Sequence, residues 1–534
     1  MRFSVTFLFS IRLLITSALA QSIEHIPLLP GENWWGGSVG VAEKMPFGSQ
    51  NGSFDLITTN YDAQATPVLL SSKGRYLWSE APFRCGIVNS QLTIESTAPI
   101  QTGQAGQTLR DAYLYAAQHW YSSDGRMPDE AFFSKPQWNT WIELGYNQNQ
   151  ASILAYARRI LAEGFPPGIL MLDDTWQEDY GTWTFSKARF PDPKAMVGEL
   201  HRLGFKIMVW VIPCISPDSY NYRMLRDKHA LLIEKKHSQT TQYVSWAQTD
   251  DQPAMIRWWN GVSAVLDLTK PAAFDWFKSE LTALQRDYQI DGFKFDGGDW
   301  YFYPGYTTSP DHASIHAQKY AELGLDFPLN EYRVAWKMGG KPLVQRLQDK
   351  RHTWAETQQL IPHTLMQGLL GYPFSCPDMI GGGMFGSHED GRFSQELYVR
   401  SAQVQALLPM MQFSMAPWRV LDSLHVAAVK RAVQLRQTAF EKLFVQLIRN
   451  YTRTNLPAVR SMEFVCPNEG FADVNDQYFI GDNVLVAPML SAGTKRMVRL
   501  PKGTWLADDG QTYRGGQTIT VNVPIDRIPY FKRI

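Results

Sequence analysis

Three aspartates and a lysine crowd one ten-residue stretch, DGFKFDGGDW, from Asp291 to Trp300. In a strand, alternate side chains share a face, so Lys294 and Asp296 point together while Phe293 and Phe295 point away. A nearby ammonium favours the ionised carboxylate, and an ionised aspartate can attack an electrophilic carbon. The competing reading is a buried ion pair that only joins two strands. MLDDTW repeats the pattern: Asp173 and Asp174 end an apolar run, and Trp176 follows. Adjacent carboxylates repel, so a partner such as a sugar hydroxyl is implied; helix capping is the plainer alternative. In LLGYPFSCPDMIGGG an apolar strand is expected to end at Asp378, just before a glycine run. Its neighbours Cys376, Met379 and Ile380 are apolar, so burial should keep a proton on it. One charged and one protonated carboxyl make a nucleophile and acid pair. Retaining glycoside hydrolysis uses this arrangement, with the two groups about 5–5.5 Å apart. A turn aspartate is the bland reading of Asp378.

The elements that would carry these groups alternate in type. NQASILAYARRILAEGF, PKAMVGELHRLGF and AAFDWFKSELTALQRDY have apolar positions at helical spacing. GILMLDD, KIMVWVIP and IDGFKFDGG lie between or after them as buried strands. The predicted fold is α/β, a (β/α)8 TIM barrel over 128–424, opening its active-site mouth at the strand C-termini. A doubly wound sheet is the rival, but no Gly-rich phosphate loop is present. Before the barrel, 21–127 reads as an N-terminal β-sandwich domain, with strands in PVLLSSKGRYLWSE and SQLTIEST. After it, 425–534 reads as a helical stretch, AVQLRQTAFEKLFVQLIRN, then a C-terminal β domain.

Composition narrows the partners. The chain has 534 residues, and 51 Lys plus Arg balance 51 Asp plus Glu. Zero net charge with no basic run gives no support for nucleic acid or an acidic membrane. The 18 tryptophans suit sugar faces, or equally the packing of a large β-rich protein. Residues 1–20 read as a secretory signal: Arg2, an apolar run, then Ala18-Leu19-Ala20 before cleavage. A secreted location follows, whether extracellular, periplasmic or lumenal. No other segment reaches spanning length. Cys85, Cys214, Cys376 and Cys466 lack zinc spacing, so neither a metal nor another cofactor is expected. Asn51-Gly52-Ser53 and Asn450-Tyr451-Thr452 match glycosylation acceptors.

Nearly the whole mature chain resembles glycoside hydrolase family 31. ENWWGGSVG is similar to its N-terminal signature, LDDTWQEDYGTWTFSKARFPDP to its second barrel strand, and GFKIMVWVIP to its third. DGFKFDGGD is similar to the nucleophile motif and PFSCPDMIGG to the acid/base strand. The resemblance implies Asp296 as nucleophile and Asp378 as acid/base. It implies Lys294, Trp210, Trp176 and Trp354 as substrate contacts, and Asp173 and Asp174 as hydroxyl acceptors. The family's Trp-x-Asp-Met-Asn-Glu and His-Trp-x-Gly-Asp stretches are absent. In this the chain resembles the subgroup of the myogenesis-regulating glycosidase and bacterial α-galactosidases. The implied activity is a retaining exo-α-glycosidase acting on terminal α-linked sugars of an oligosaccharide or glycoside, α-galactosides first. α-Glucosidase, α-xylosidase and transglycosylase remain alternatives, as does a sugar-binding protein without turnover.

Overall fold

The computed structural model describes residues 22–48, 50–59, 61–234, 252–303, 313–389, 391 and 393–534. The predicted signal segment lies outside them. Eight parallel strands form the centre: β1 Gln137–Asn139, β2 Ile169–Leu172, β3 Lys206–Val211, β4 Gly292–Phe295, β5 Leu329–Tyr332, β6 Val344–Arg346, β7 Ser375–Cys376 and β8 Gln412–Phe413. β1 to β7 pair in sequence order, and β8 pairs with β1. A parallel bridge from Met379 to Gln412 closes the ring. The architecture is the TIM barrel expected from the alternation of elements.

The helices start where local chemistry allows. Asn149 caps Gln150–Ala162 by accepting from Ser152 N, and Asp192 caps Pro193–Arg202, which has proline in its first turn. Pro271–Tyr288 ends at Gln289 in a left-handed conformation, φ 61°. Two segments differ from expectation. LLGYPFSCPD is not one strand: helix Trp354–Leu369 runs into it, Gly371 turns the chain at φ 87°, and only Ser375–Cys376 is extended. The long C-terminal helical stretch breaks into Ser423–Leu435 and Glu441–Thr454 around a π-helical turn, Arg436–Phe440. There the buried Arg436 guanidinium donates to the carbonyls of Phe133, Ala406, Leu408 and Pro409.

Strand alternation sorts the barrel's faces. Phe293 and Phe295 pack outward, Phe295 stacked on Tyr332 with centroids 4.5 Å apart. Register pairs Trp210 with Lys294 and Lys294 with Glu331, so these three form one inward row. The barrel interior is polar: Gln137, Glu331, Gln345 and Gln412 are fully buried. Gln412 donates to Glu331 Oε2 at 2.9 Å and to Gln137 Oε1.

No helix lies between β5 and β6. The chain instead forms a short strand, Ala335–Trp336, that pairs in parallel with Gln64 and Ala65 of the N-terminal region. That region comprises a four-stranded sheet and a second sheet built on Gln64–Ser71. The C-terminal part carries a six-stranded and a two-stranded sheet. All four cysteines are buried and free, so none forms a disulfide. Among the described residues no helix is long and apolar enough to cross a membrane.

Candidate active site

Asp296 follows β4 directly and is 7% exposed. Its Oδ2 accepts from Trp210 Nε1 at 2.8 Å and its Oδ1 from Gly297 N at 3.0 Å. Arg333 Nε lies 3.6 Å from Oδ1 and Arg346 Nη2 lies 3.9 Å from it. Burial alone would raise this carboxyl, but Arg333, Lys294 and Arg346 together hold it well below the usual carboxylate range. Gly297 makes the turn possible at φ 82°, where an added Cβ would sit 3.1 Å from Ile212.

Lys294 shares the inward face with Asp296, as alternation requires, but it bonds elsewhere. Its Nζ reaches Asp173 Oδ2 at 2.6 Å across the barrel mouth, in a fully buried pair. Asp174 points to neutral donors: Tyr180 Oη at 3.2 Å, Gln177 Nε2 at 3.4 Å and Asn260 Nδ2. Burial and the neighbouring Asp173 push Asp174 up to about 7. Thr175, next in the chain, is held at φ 74°. A β-branched residue there carries strain of about 1–3 kcal/mol, which suits a position fixed by its surroundings. The pair is anchored from beneath, where Gln148 Nε2 donates to the carbonyls of Asp173 and Asp174.

Asp378 does not project into the mouth. It is 0% exposed, at φ 71°, and its carboxyl is enclosed between its own glycine loop and the end of β6 with the loop that follows. Oδ1 accepts from Arg346 Nη1 at 3.1 Å, and Oδ2 accepts from Lys350 N at 2.8 Å and Gly383 N at 3.2 Å. The approach of the loop depends on Gly383, where an added Cβ would sit 2.8 Å from Asp378 Oδ1. The expected burial is correct, and with the charge of Asp349 it pushes Asp378 up to about 7. The expected exposure to substrate is not. The same Arg346 Nη1 donates to Asp349 Oδ1 at 2.5 Å, and Asp349 is 25% exposed at its side chain. Asp349 is therefore the solvent-accessible carboxyl of this pair.

Arg346 is the hub that sequence reading missed. Its guanidinium lies within 4 Å of Asp296, Glu331, Asp349 and Asp378. Arg333 joins Asp296 to Asp299, which burial raises to about 6 despite that cation. Seven carboxyls (Asp173, Asp174, Asp296, Asp299, Glu331, Asp349, Asp378) face four cations (Lys294, Arg333, Arg346, Lys350), an excess of three negative charges if every carboxyl ionises. Burial raises the pKa values of Asp174, Asp299, Glu331 and Asp378, which makes these four the groups that can take up protons against that excess. Gln64 of the N-terminal region steadies both arginines, its Nε2 donating to Arg333 O at 2.5 Å and Arg346 O at 2.9 Å.

The aromatic residues divide. Trp210 touches Asp296 directly. Trp176 is 0% exposed, packs on Phe185, and donates to Trp210 O at 2.7 Å, so it supports Trp210 from behind. Trp354 opens its helix after the Thr353 cap, half-buried, five residues beyond Asp349. Trp259, 43% exposed, lies under the Arg333 guanidinium, 5.6 Å from ring centroid to Cζ.

Residues 134–338 match the model of the glycosyl hydrolases family 31 TIM-barrel domain, and 455–534 that of the family 31 C-terminal domain. The myogenesis-regulating glycosidase of Mus musculus is 31% identical over 443 residues, 80% of this chain and 60% of that protein. Alpha-glucosidase 2 of Bacillus thermoamyloliquefaciens is 25% identical over 470 residues, 80% of this chain and 55% of that one. This chain thus spans little more than half the length of either relative. Its fold matches that of a soil-metagenome GH31 alpha-xylosidase solved with xylose, with TM-score 0.80, 21% identity, and coverage of 96% of this chain and 79% of that one. With two successive domain models and the barrel itself in agreement, the chain belongs to glycoside hydrolase family 31.

Proposed function

We propose that the protein is a retaining exo-α-glycosidase with Asp296 as nucleophile and Asp349 as acid/base. The observation that carries this reading is the shared guanidinium. Arg346 touches both carboxyls; Asp296 has in addition Arg333 at 3.6 Å and an indole N–H holding its charge, whereas Asp349 keeps 25% of its side chain exposed. In the first step Asp296 Oδ attacks the anomeric carbon as the glycosidic C–O bond breaks. The proton of Asp349 passes to the leaving oxygen. In the second, Asp349 takes a proton from water as that water displaces Asp296, and the sugar leaves with its α configuration. Asp378, raised to about 7 by burial and by Asp349, shares the Arg346 guanidinium with it, so near neutrality the two carboxyls can hold one proton between them.

Terminal α-galactose is our first substrate. Asp173, salt-bridged to Lys294, offers an acceptor, and Asp174, poised near neutrality, can donate or accept. Such a pair suits neighbouring hydroxyls of which one is axial. The protein is proposed to act outside the cytosol, on the strength of its leading sequence. The test is a panel of nitrophenyl α-galactoside, α-glucoside and α-xyloside, with NMR of the first-released anomer. Fastest turnover of the galactoside with α product is expected. Faster glucoside turnover overturns the sugar, and a β product overturns the mechanism.

A further inference from the structure

Glu43, His363 and Lys350 form a chain of contacts that the proposed chemistry does not use. Glu43 sits in the 3-10 turn Val39–Lys44 of the N-terminal region, and His363 lies on helix Trp354–Leu369. Lys350 follows Asp349. His363 Nε2 is 3.0 Å from Glu43 Oε2, and His363 Nδ1 is 3.4 Å from Lys350 Nζ. Lys350 and His363 are each 5% exposed.

Chemistry fixes the direction of this chain. An ammonium only donates and a carboxylate only accepts. The imidazole between them must therefore carry its proton on Nε2 and leave Nδ1 bare. Burial and the Lys350 charge hold His363 down to about 4, so the ring is neutral and the arrangement persists at physiological pH. The charges of Asp378, Glu356 and Asp349 help hold the buried ammonium, and the bare ring nitrogen is the hydrogen-bond acceptor that fixes where it points. The main chain of Lys350 is pinned as well: its N–H donates to Asp378 and its carbonyl accepts from Met384 N at 3.0 Å. Asp349 is the residue immediately before this pinned point.

We propose that Glu43 is a positioning residue for the loop that carries Asp349, acting through His363 and Lys350. The inference rests on the glycosidase reading of the site. Without the Glu43 carboxylate, the buried Nε2–H loses its acceptor and the ring is free to turn over. Lys350 then loses Nδ1, its stem leaves the interior, and Asp349 shifts with it. The nucleophile side, held by Arg333 and Trp210, is untouched.

The test uses two substrates of one sugar. Methyl α-galactoside needs its leaving oxygen protonated, whereas α-galactosyl fluoride departs with little help. Glu43→Ala is expected to lower kcat on the methyl glycoside by about tenfold or more, a part of the 10²–10⁴ that general acid catalysis contributes. KM and fluoride turnover should stay within about twofold of the wild-type values. Glu43→Gln keeps an acceptor oxygen and should restore most of the loss. Equal losses on both substrates, or no loss on either, overturn the inference while leaving the glycosidase reading intact. A wild-type protein that cleaves neither overturns the choice of galactose, and the pair is then run with the sugar the nitrophenyl panel selects; one that cleaves no α-glycoside of that panel overturns the glycosidase reading, and the inference with it. ¹⁵N shifts of the imidazole give an independent check: a protonated Nδ1 in the wild type overturns the relay whatever the kinetics.

Discussion

Asp296 and Asp174 sit at the ends of two barrel strands, both nearly out of water, with opposite acidities. Asp296 is 7% exposed and strongly acidic; Asp174 is 2% exposed and raised to about 7. Depth does not separate them. Desolvation costs each several kcal/mol. Asp296 recovers it from three cations and an indole N–H, at roughly 4 kcal/mol per unit charge near 4 Å for an effective dielectric of about 20. Asp174 has hydroxyl and amide donors only, beside a like-charged neighbour. One position is built for an anion, the other for a carboxyl that can hold its proton. In the proposed function the first attacks carbon and the second recognises hydroxyls.

Four experiments would break or sharpen this contrast. Asp296→Ala should abolish hydrolysis by about 10⁴-fold or more, with folding retained; near-normal kcat would remove the nucleophile from the account. Asp349→Asn should cost about 10²–10⁴ on substrates with poor leaving groups and little on the fluoride, as leaving-group kinetics would show. If Asp378→Asn gives that pattern instead, the enclosed carboxyl is the acid. Arg333→Gln removes the first cation acting on Asp296. The acid limb of kcat/KM should then move up by about 1–3 pH units, because protonated Asp296 cannot attack. Asp174→Asn should act mainly on KM, with a smaller effect on stability. Because its folded pKa is raised, Asp174 stabilises fully below about 4, and that contribution is lost as pH rises through about 7. Its melting temperature should therefore fall less between pH 4 and 8 than the wild type's, read by calorimetry.

What was legible in the sequence had a long enough period. Ile169–Leu172, Lys206–Val211 and Gly292–Phe295 are continuous apolar strands, and their terminal carboxylates could be placed by alternation. Ser375–Cys376 and Gln412–Phe413 are two residues each, too short for any periodicity. Arg346 ends a three-residue strand and Asp349 lies in the loop after it, so neither stood out. Their importance comes from meeting Asp296, 50 and 53 positions earlier, at the Arg346 guanidinium. Alternation puts Lys294 on the face of Asp296, and its charge does lower that carboxyl, but its direct ion pair is with Asp173, a contact that only the neighbouring strands fix. Asp378 was rightly read as buried, but its exposure was misjudged because the glycine run folds over it.

The β5–β6 crossing, where Ala335–Trp336 zips onto Gln64 and Ala65, has a consequence for anyone recombining family members. The leading module is a stave of the cask. A chimera that swaps it must import a side chain able to do what Gln64 does for the two arginines, or the graft will fold around a misaligned centre.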